Sequence, residues 1–277
     1  ARWNSDTLAL RERLEATRVA PARGVGIYRS DDIAELPPPV QRYFRVVLTE
    51  NQPIVAAVDL EHSGTFDLGE ATAQWKPFTS TQRVVTRPPG FDWDARIAVV
   101  PGVEVHVHDA YVASAGLLRA SVLGIVPVAD LRGSGDLAQG ELMRYLAEAA
   151  WYPTALLPSQ GVRWDAIDAN SARATLTDGG TSVSLVFRFT EEGTIDTVRA
   201  DARGRTVGNA VIPTPWFARF WNYAVRDGMR IPLDGEVAWV LPDGMKPYWR
   251  GQVSRVRYEF ASPLTRNFLG VESVSDR

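Results

Sequence analysis

A group of charged residues on one predicted helix has the residue types best suited to chemistry. Glu141, Arg144, Glu148 and Trp151 follow one another at spacings of three, four and three, so they share one face of a helix that we predict over residues 136–151. Carboxylates beside a guanidinium can carry out acid–base chemistry or bind a charged group. The same pattern is also typical of a solvent-exposed Arg–Glu pair, which contributes only about 0.3–0.5 kcal/mol.

The segment that follows this helix favours a buried position for it. Residues 151–158 are almost entirely apolar and aromatic, and a solvated helix face rarely continues into such a segment. We therefore expect the helix to lie inside a sheet, where Arg144 and Glu148 are buried and must be paired. Asp136 is the expected N-cap, with Gln139 three residues later, and Pro153 ends the helix from outside.

A predicted strand over residues 103–114 carries a second set of polar groups. Its alternation places Asp109 and Tyr111 on the same face as the valines. Polar groups on an apolar face need partners, which Arg144 or Arg250 can supply. Such a cluster either orients the helix or forms a ligand or catalytic site, and the sequence leaves both open.

The opposite face of that strand carries Glu104, His106 and His108. Imidazoles two residues apart can bind zinc or a redox metal, and His62 is the only other histidine. Because no third ligand is evident, we expect a solvated strand face, with no metal and no other cofactor. The glycines at 133 and 135 imitate a dinucleotide fingerprint, but no βαβ unit follows, which favours a simple turn.

Composition excludes several classes of protein. The 277 residues include no cysteine, which excludes a disulfide framework and thiolate chemistry. Thirty basic residues against 33 acidic ones give a net charge of −3, so we expect no nucleic-acid partner. No apolar run is long enough for a transmembrane segment. The chain begins at Ala1, so a targeting segment can have been removed, and both the cytoplasm and the cell envelope stay open.

The elements that must position these residues fall into two parts. Helical patterns occupy residues 1–50, where Ser5 or Asp6 is the expected first cap. From residue 53 the pattern changes to period two, typical of antiparallel strands. Residues 217–225 are ambiguous between helix and strand, and we favour strand. We expect a single domain over 1–277, with a curved sheet over 53–260, the central helix over 136–151 and a tail over 261–277.

The string through the central helix is the most specific motif in the chain. It reads Gly140-Glu141-Leu142-x-Arg144-Tyr145-Leu146-x-Glu148-x-x-Trp151-x-Pro153-Thr154-Ala155-Leu156-Leu157-Pro158. This string resembles the signature of a family of uncharacterised bacterial proteins, which has no assigned activity. With shorter matches, such as Phe91-x-Trp93-Asp94-Ala95 and Tyr248-Trp249-Arg250-Gly251, the resemblance covers about residues 40–260.

More distantly, the chain is similar to the lipoprotein-carrier (LolA/LolB-like) architecture. This resemblance implies an α+β fold, in which a strongly curved antiparallel sheet of about eleven strands forms a half-barrel with helices in its concave side. It also implies a cavity for an acyl chain or another apolar ligand, although fold does not establish function. The charged stripe on the central helix departs from a lipoprotein carrier.

These observations support a binding function first. We expect the concavity to bind an apolar or amphipathic small molecule. A lipid-like molecule with an anionic head is one form that such a ligand can take. The expected ligand-binding residues are Arg144, Trp151, Trp93, Trp239, Glu236, Tyr248, Trp249 and Arg250.

Two alternatives stay open. One is a metal-independent acid–base enzyme, a hydrolase, lyase or isomerase, in which Glu148 or Asp109 is the general base and Tyr111 the proton donor. The other is an envelope scaffold that binds a partner protein through an exposed apolar patch instead of a cavity.

Overall fold

The period-two pattern produces thirteen strands, which form one antiparallel sheet. The structure is a computed structural model and describes residues 2–19, 26–69, 72–207 and 210–261. The strands are β1 (Val55–Asp67), β2 (Trp75–Val85), β3 (Gly90–Val100), β4 (Val103–Val112), β5 (Ala115–Val122), β6 (Val126–Gly133), β7 (Arg163–Ala166), β8 (Ser171–Asp178), β9 (Thr181–Phe189), β10 (Ile195–Val207), β11 (Ala210–Arg226), β12 (Met229–Leu241) and β13 (Gly244–Phe260).

The sheet consists of two meanders joined at one seam. Strands β1 to β6 are consecutive neighbours, and so are β7 to β13. The seam is the pairing of the first strand with the last, which runs from Val55 opposite Phe260 to Phe66 opposite Trp249. Strands β6 and β7 are the two edges, so the sheet is open.

The sheet curves strongly enough to bring its two halves together at one end. The hydroxyl of Tyr111, on β4, donates a hydrogen bond of 2.8 Å to Asp178, at the end of β8. Ser114, in the β4–β5 turn, donates a second one of 2.7 Å to the same oxygen. Since β4 and β8 lie near opposite edges of the sheet order, the halves must face each other across a concave side.

The helix that connects the two edges lies in this concave side. Helix α3 (Asp136–Glu148) follows β6, precedes β7 and packs against strands of both halves, namely β4, β5, β9 and β10. Its N-cap is Gly135, at φ 80°, without a side-chain capping bond. The expectation that Asp136 is the cap was therefore wrong, since Asp136 is already helical. Three short 3₁₀ turns follow between residues 149 and 160, two of them with a proline in the first turn.

The remaining helices cover other parts of the sheet. Helix α1 (Arg2–Ala16) packs against β2, β3 and β4, and it begins before the predicted caps at Ser5 or Asp6. Helix α2 (Pro38–Val47) starts with two prolines and buries Tyr43 and Phe44 against the core. Among the described residues, no helix is long and apolar enough to cross a membrane.

The prediction of antiparallel strands from residue 53 onward was confirmed, but the number of strands differs. Residues 217–225 lie within β11, so the favoured interpretation as strand was correct. The count is thirteen instead of about eleven, partly because β6 contains Pro127. A proline is tolerated on an edge strand, where one backbone N–H needs no partner in the sheet. The single-domain limits stay a prediction.

A glycine close to the seam lets a large aromatic ring lie flat on the sheet. The pairing of β12 with β13 is irregular between Val237 and Ala238, where Tyr248 is passed over, so a β-bulge turns both Tyr248 and Trp249 toward the interior. A side chain at position 251 would overlap the indole ring of Trp249. Glycine at 251 is therefore required for the position of Trp249.

We expect Gly251→Ala to lower the free energy of unfolding by about 1–3 kcal/mol, because the added methyl group must displace the indole of Trp249. Urea denaturation followed by circular dichroism measures this change. The matched control is Gly180→Ala, where nothing lies within 4 Å of an added Cβ. Equal stability losses in the two variants would contradict the role assigned to Gly251.

Candidate functional site

A cavity of about 470 Å³ lies between α3 and the concave face of the sheet. This volume falls within the range of about 300–1,000 Å³ that is usual for small-molecule sites. Its walls come from both halves of the sheet and are mostly apolar. Polar contributions come from Asp109, Arg144, Glu148, Arg203, Glu236 and Tyr248.

Arg144 is the centre of the polar wall. Its Nη1 donates to Asp109 Oδ2 at 2.6 Å and its Nε donates to Glu148 Oε1 at 2.7 Å. The other oxygen of Glu148 accepts a bond of 2.7 Å from the amide of Gln82. The side chains of Arg144, Asp109 and Glu148 are only 14%, 17% and 14% exposed. The prediction that a buried Arg144 is paired is therefore confirmed. Of the two arginines expected as partners of Asp109, Arg144 bonds to it and Arg250 does not.

A second buried arginine, Arg203, faces the third carboxyl group of α3. Its Nη2 lies 3.5 Å from Glu141 Oε1, which is longer than a typical N–H···O hydrogen bond. Its Nη1 donates to the hydroxyl of Tyr248 at 3.3 Å. The guanidinium carbon lies 5.2 Å from the ring centre of Trp216 and 5.9 Å from that of Trp239, so aromatic faces help to stabilise its charge.

Glu141 differs from the other two carboxyl groups because it is poorly compensated. Burial in the first place, and the neighbouring Asp109 carboxylate in the second, raise the pKa of Glu141 well above its ordinary value, although Arg203 and Arg144 act in the opposite direction. Glu141 Oε2 and Asp109 Oδ1 are both buried without a hydrogen-bond donor among the described residues. A proton on Glu141 would supply that donor, so we expect Glu141 to be neutral and bonded to Asp109.

Three of the four predicted tryptophans line the cavity: Trp93, Trp151 and Trp249. Trp151 and Trp249 lie next to each other, with ring centres 6.3 Å apart. The fourth, Trp239, is not among the lining residues and instead stacks on Tyr248, with ring centres 5.6 Å apart. The aromatic residues thus form a continuous wall on the side of the β1–β13 seam.

Two other predicted residues lie apart from the Arg144 cluster. Arg250 is not among the cavity-lining residues, since its guanidinium bonds to Glu236 at 2.6 Å, lies over the ring of Trp75 and is 52% exposed. Glu236 does line the cavity, but its charge is used in this pair. Tyr111 does not line the cavity either, because its hydroxyl bonds to Asp178 on the other half of the sheet. The expected contact of Tyr111 with an arginine at the cavity floor is therefore absent.

The histidine face of β4 is not solvated, contrary to expectation. Helix α1 covers it: the ring of Trp3 stacks on His108 at 4.3 Å, and the hydroxyl of Thr7 lies 2.7 Å from the Nε2 of His108. His108 is only 2% exposed as a result. Across the described ranges there is no group of three or more residues arranged to hold a metal ion.

Sequence reasoning missed four residues around the cavity: Gln82, Arg203, Trp216 and His62. His62 lies beside Trp151, with ring centres 4.9 Å apart, and burial together with the charge of Arg144 lowers its pKa to about 3, so it is neutral. Strand alternation would not have found Arg203, because Val198 and Ala200 lie on the buried face and a period of two places residue 203 on the opposite face. The register shift between Ala200 and Arg203 is what turns Arg203 to the interior, and the sequence alone carries no signal for it.

Comparison with known proteins places the chain among sequences without an assigned activity. The model of a family of unknown function (DUF6920) matches residues 34–258. No curated protein matches the chain.

Two solved structures show distant similarity. A LolA superfamily protein from Nitrosomonas europaea is 11% identical, with a TM-score of 0.38, and the match covers 80% of this chain and 92% of that one. A beta-barrel-like protein of a domain of unknown function (DUF1849) from Brucella abortus is 9% identical, with a TM-score of 0.24 and coverage of 74% and 99%.

We expect Arg144→Gln to lower the free energy of unfolding by about 3–5 kcal/mol, because it leaves Asp109 and Glu148 buried without their cation. Urea denaturation measures the loss. Arg132 supplies the matched control: it pairs with Asp130 at an exposed position, so Arg132→Gln should change the stability by less than about 1 kcal/mol. A comparably small loss at position 144 would show that the buried pairs contribute little.

The neutral state of Glu141 has a signature in the pH dependence of stability. A carboxyl group whose pKa is raised by folding binds more protons in the folded than in the unfolded protein. The amount that this group adds to the free energy of unfolding therefore falls as the pH rises above the ordinary pKa of a glutamate. Glu141→Gln removes this group. We expect the stability of the variant relative to the wild type to rise between about pH 5 and pH 8, by at most about 1.4 kcal/mol per pH unit. Thermal or urea unfolding across this range tests it, and a flat or falling difference would contradict a neutral Glu141.

Proposed function

The chain belongs to the family of unknown function DUF6920, and on the geometry of its cavity we propose that it binds an apolar or amphipathic small molecule between α3 and the sheet. The observation that carries this proposal is the cavity of about 470 Å³, which has walls of apolar side chains from both halves of the sheet. Contact with such walls on several sides removes most of a ligand's apolar surface from water.

The pairing of the carboxylates with Arg144 supports a binding function more than a catalytic one. The charges of Asp109 and Glu148 are both taken up by Arg144, at 2.6 and 2.7 Å. A general base needs a free lone pair within reach of a substrate proton. The second oxygen of Glu148 accepts from Gln82, and that of Asp109 is the expected acceptor of the proton on Glu141. The polar groups thus stabilise the helix inside the sheet and leave the cavity surface largely apolar.

The acid–base alternative has less support. Its proposed proton donor, Tyr111, bonds to Asp178 instead of facing the cavity, and burial in the first place raises its pKa. The three residues of that hypothesis are therefore not gathered around one point where a substrate could react. The partner-binding scaffold stays a prediction.

Binding can be followed through the protein's own tryptophans and with a neutral apolar dye. Trp93, Trp151, Trp216 and Trp249 line the cavity, so a bound molecule should change their emission. We expect Nile red to bind with saturable fluorescence, and native mass spectrometry of the purified protein to show whether a cellular ligand accompanies it.

Filling the cavity tests whether the dye binds there. Ala120 lines the cavity from β5, so Ala120→Phe should weaken Nile red binding by about tenfold or more, equivalent to at least about 1.4 kcal/mol. The matched control is Ala166→Phe, at an exposed position on β7, which should keep the affinity of the wild type. If the wild type does not bind the dye, or if the two variants bind it equally well, the proposed function fails.

A further inference from the structure

The charges around the cavity balance one another within the protein. Two buried arginines, Arg144 and Arg203, face three carboxyl groups, those of Asp109, Glu141 and Glu148. Because we expect Glu141 to be neutral, the two positive charges meet two negative ones. The other charged pair at the cavity, Glu236 with Arg250, is also balanced. No arginine of this set is left over to pair with the charge of a ligand.

The guanidinium groups are also held by contacts within the protein. Arg144 lies between its two carboxylates and against the rings of Phe91 and Trp93, each 4.9 Å from its central carbon. Arg203 is held against the aromatic faces of Trp216 and Trp239, and its Nε lies close to the Cα side of Gly140 on α3. An anionic head group beside Arg144 would share its charge with two carboxylates that already bond to it.

The site also opposes further negative charge. Burial and Asp109 already raise the pKa of Glu141, so the protein's own third carboxyl group resists ionisation there. A ligand carboxylate beside the same groups would meet the same two obstacles, desolvation and a neighbouring negative charge.

We infer that the cavity selects an uncharged long-chain ligand over an anionic one of the same length. This inference rests on the proposed function, and it replaces the anionic head group that the sequence left open. A long-chain alcohol and the corresponding fatty-acid anion are a matched pair of probes, because they share the chain and differ in the charge of one end.

The test is displacement of Nile red from the wild-type protein by 1-hexadecanol and by palmitate, both delivered from cyclodextrin at a pH at which palmitate is ionised. We expect hexadecanol to compete at least about tenfold more strongly. Equal or stronger competition by palmitate, or no competition by hexadecanol, overturns the inference while dye binding keeps the proposed function intact. Absence of dye binding overturns both.

A double variant tests the charge balance itself. Glu141→Gln combined with Glu148→Gln leaves Arg144 and Arg203 with Asp109 as their only carboxylate, and the amide at 148 can still bond to Gln82, whose Oε1 lacks a partner among the described residues. We expect the preference for hexadecanol over palmitate to shrink by about tenfold or to reverse. Both changes are needed, because Glu141 alone could ionise and restore the balance.

The control for the double variant is Glu104→Gln, which removes a negative charge from a residue that is outside the cavity wall and paired with His106. It should keep the wild-type preference. Circular dichroism tests whether each variant is folded. If the double variant is not folded, the comparison of hexadecanol with palmitate on the wild type still tests the inference. An unchanged preference in a folded double variant, or an equal shift in the control, would overturn the inference.

Discussion

The structure depends on placing one arginine, Arg144, in a region shielded from water. A buried guanidinium is tolerated only where carboxylates meet it at hydrogen-bond distance, and here they come from two different elements. Glu148 is one helical turn further along α3, whereas Asp109 belongs to β4. Together, these bonds fix the rotation of α3 about its own axis and its distance from the sheet.

The same requirement constrains the strands. A slip of one residue in β4 would turn Asp109 to the opposite face, where α1 covers His108, and Arg144 would lose a partner. Gln82 on β2 donates to the second oxygen of Glu148. Strands β2 and β4, which β3 separates, thus contribute to one hydrogen-bonded unit. Because these polar groups bond to one another, what they leave for a ligand is an aromatic and aliphatic surface.

Local patterns in the sequence predicted much of this arrangement. Helical spacing and the apolar segment after Trp151 identified a buried helix, and alternation identified the face of Asp109, because both depend on near neighbours in the chain. The partners of Tyr111 and Arg250 could not be found in this way. Tyr111 reaches Asp178 only because the sheet curves, and Arg250 is drawn to Glu236 across a strand pair. The covering of His108 by α1 likewise depends on tertiary packing.

The seam between the first and last strands has a consequence for the order of folding. Its register joins Val55 to Phe260, so closing it requires a long loop, whereas every other strand pair is local in the chain. All residues that neutralise Arg144 precede residue 149. During synthesis the first meander and α3 can therefore form all the bonds of Arg144 before β7 emerges. The second meander then brings Arg203, on β10, to Glu141, with the seam closing last.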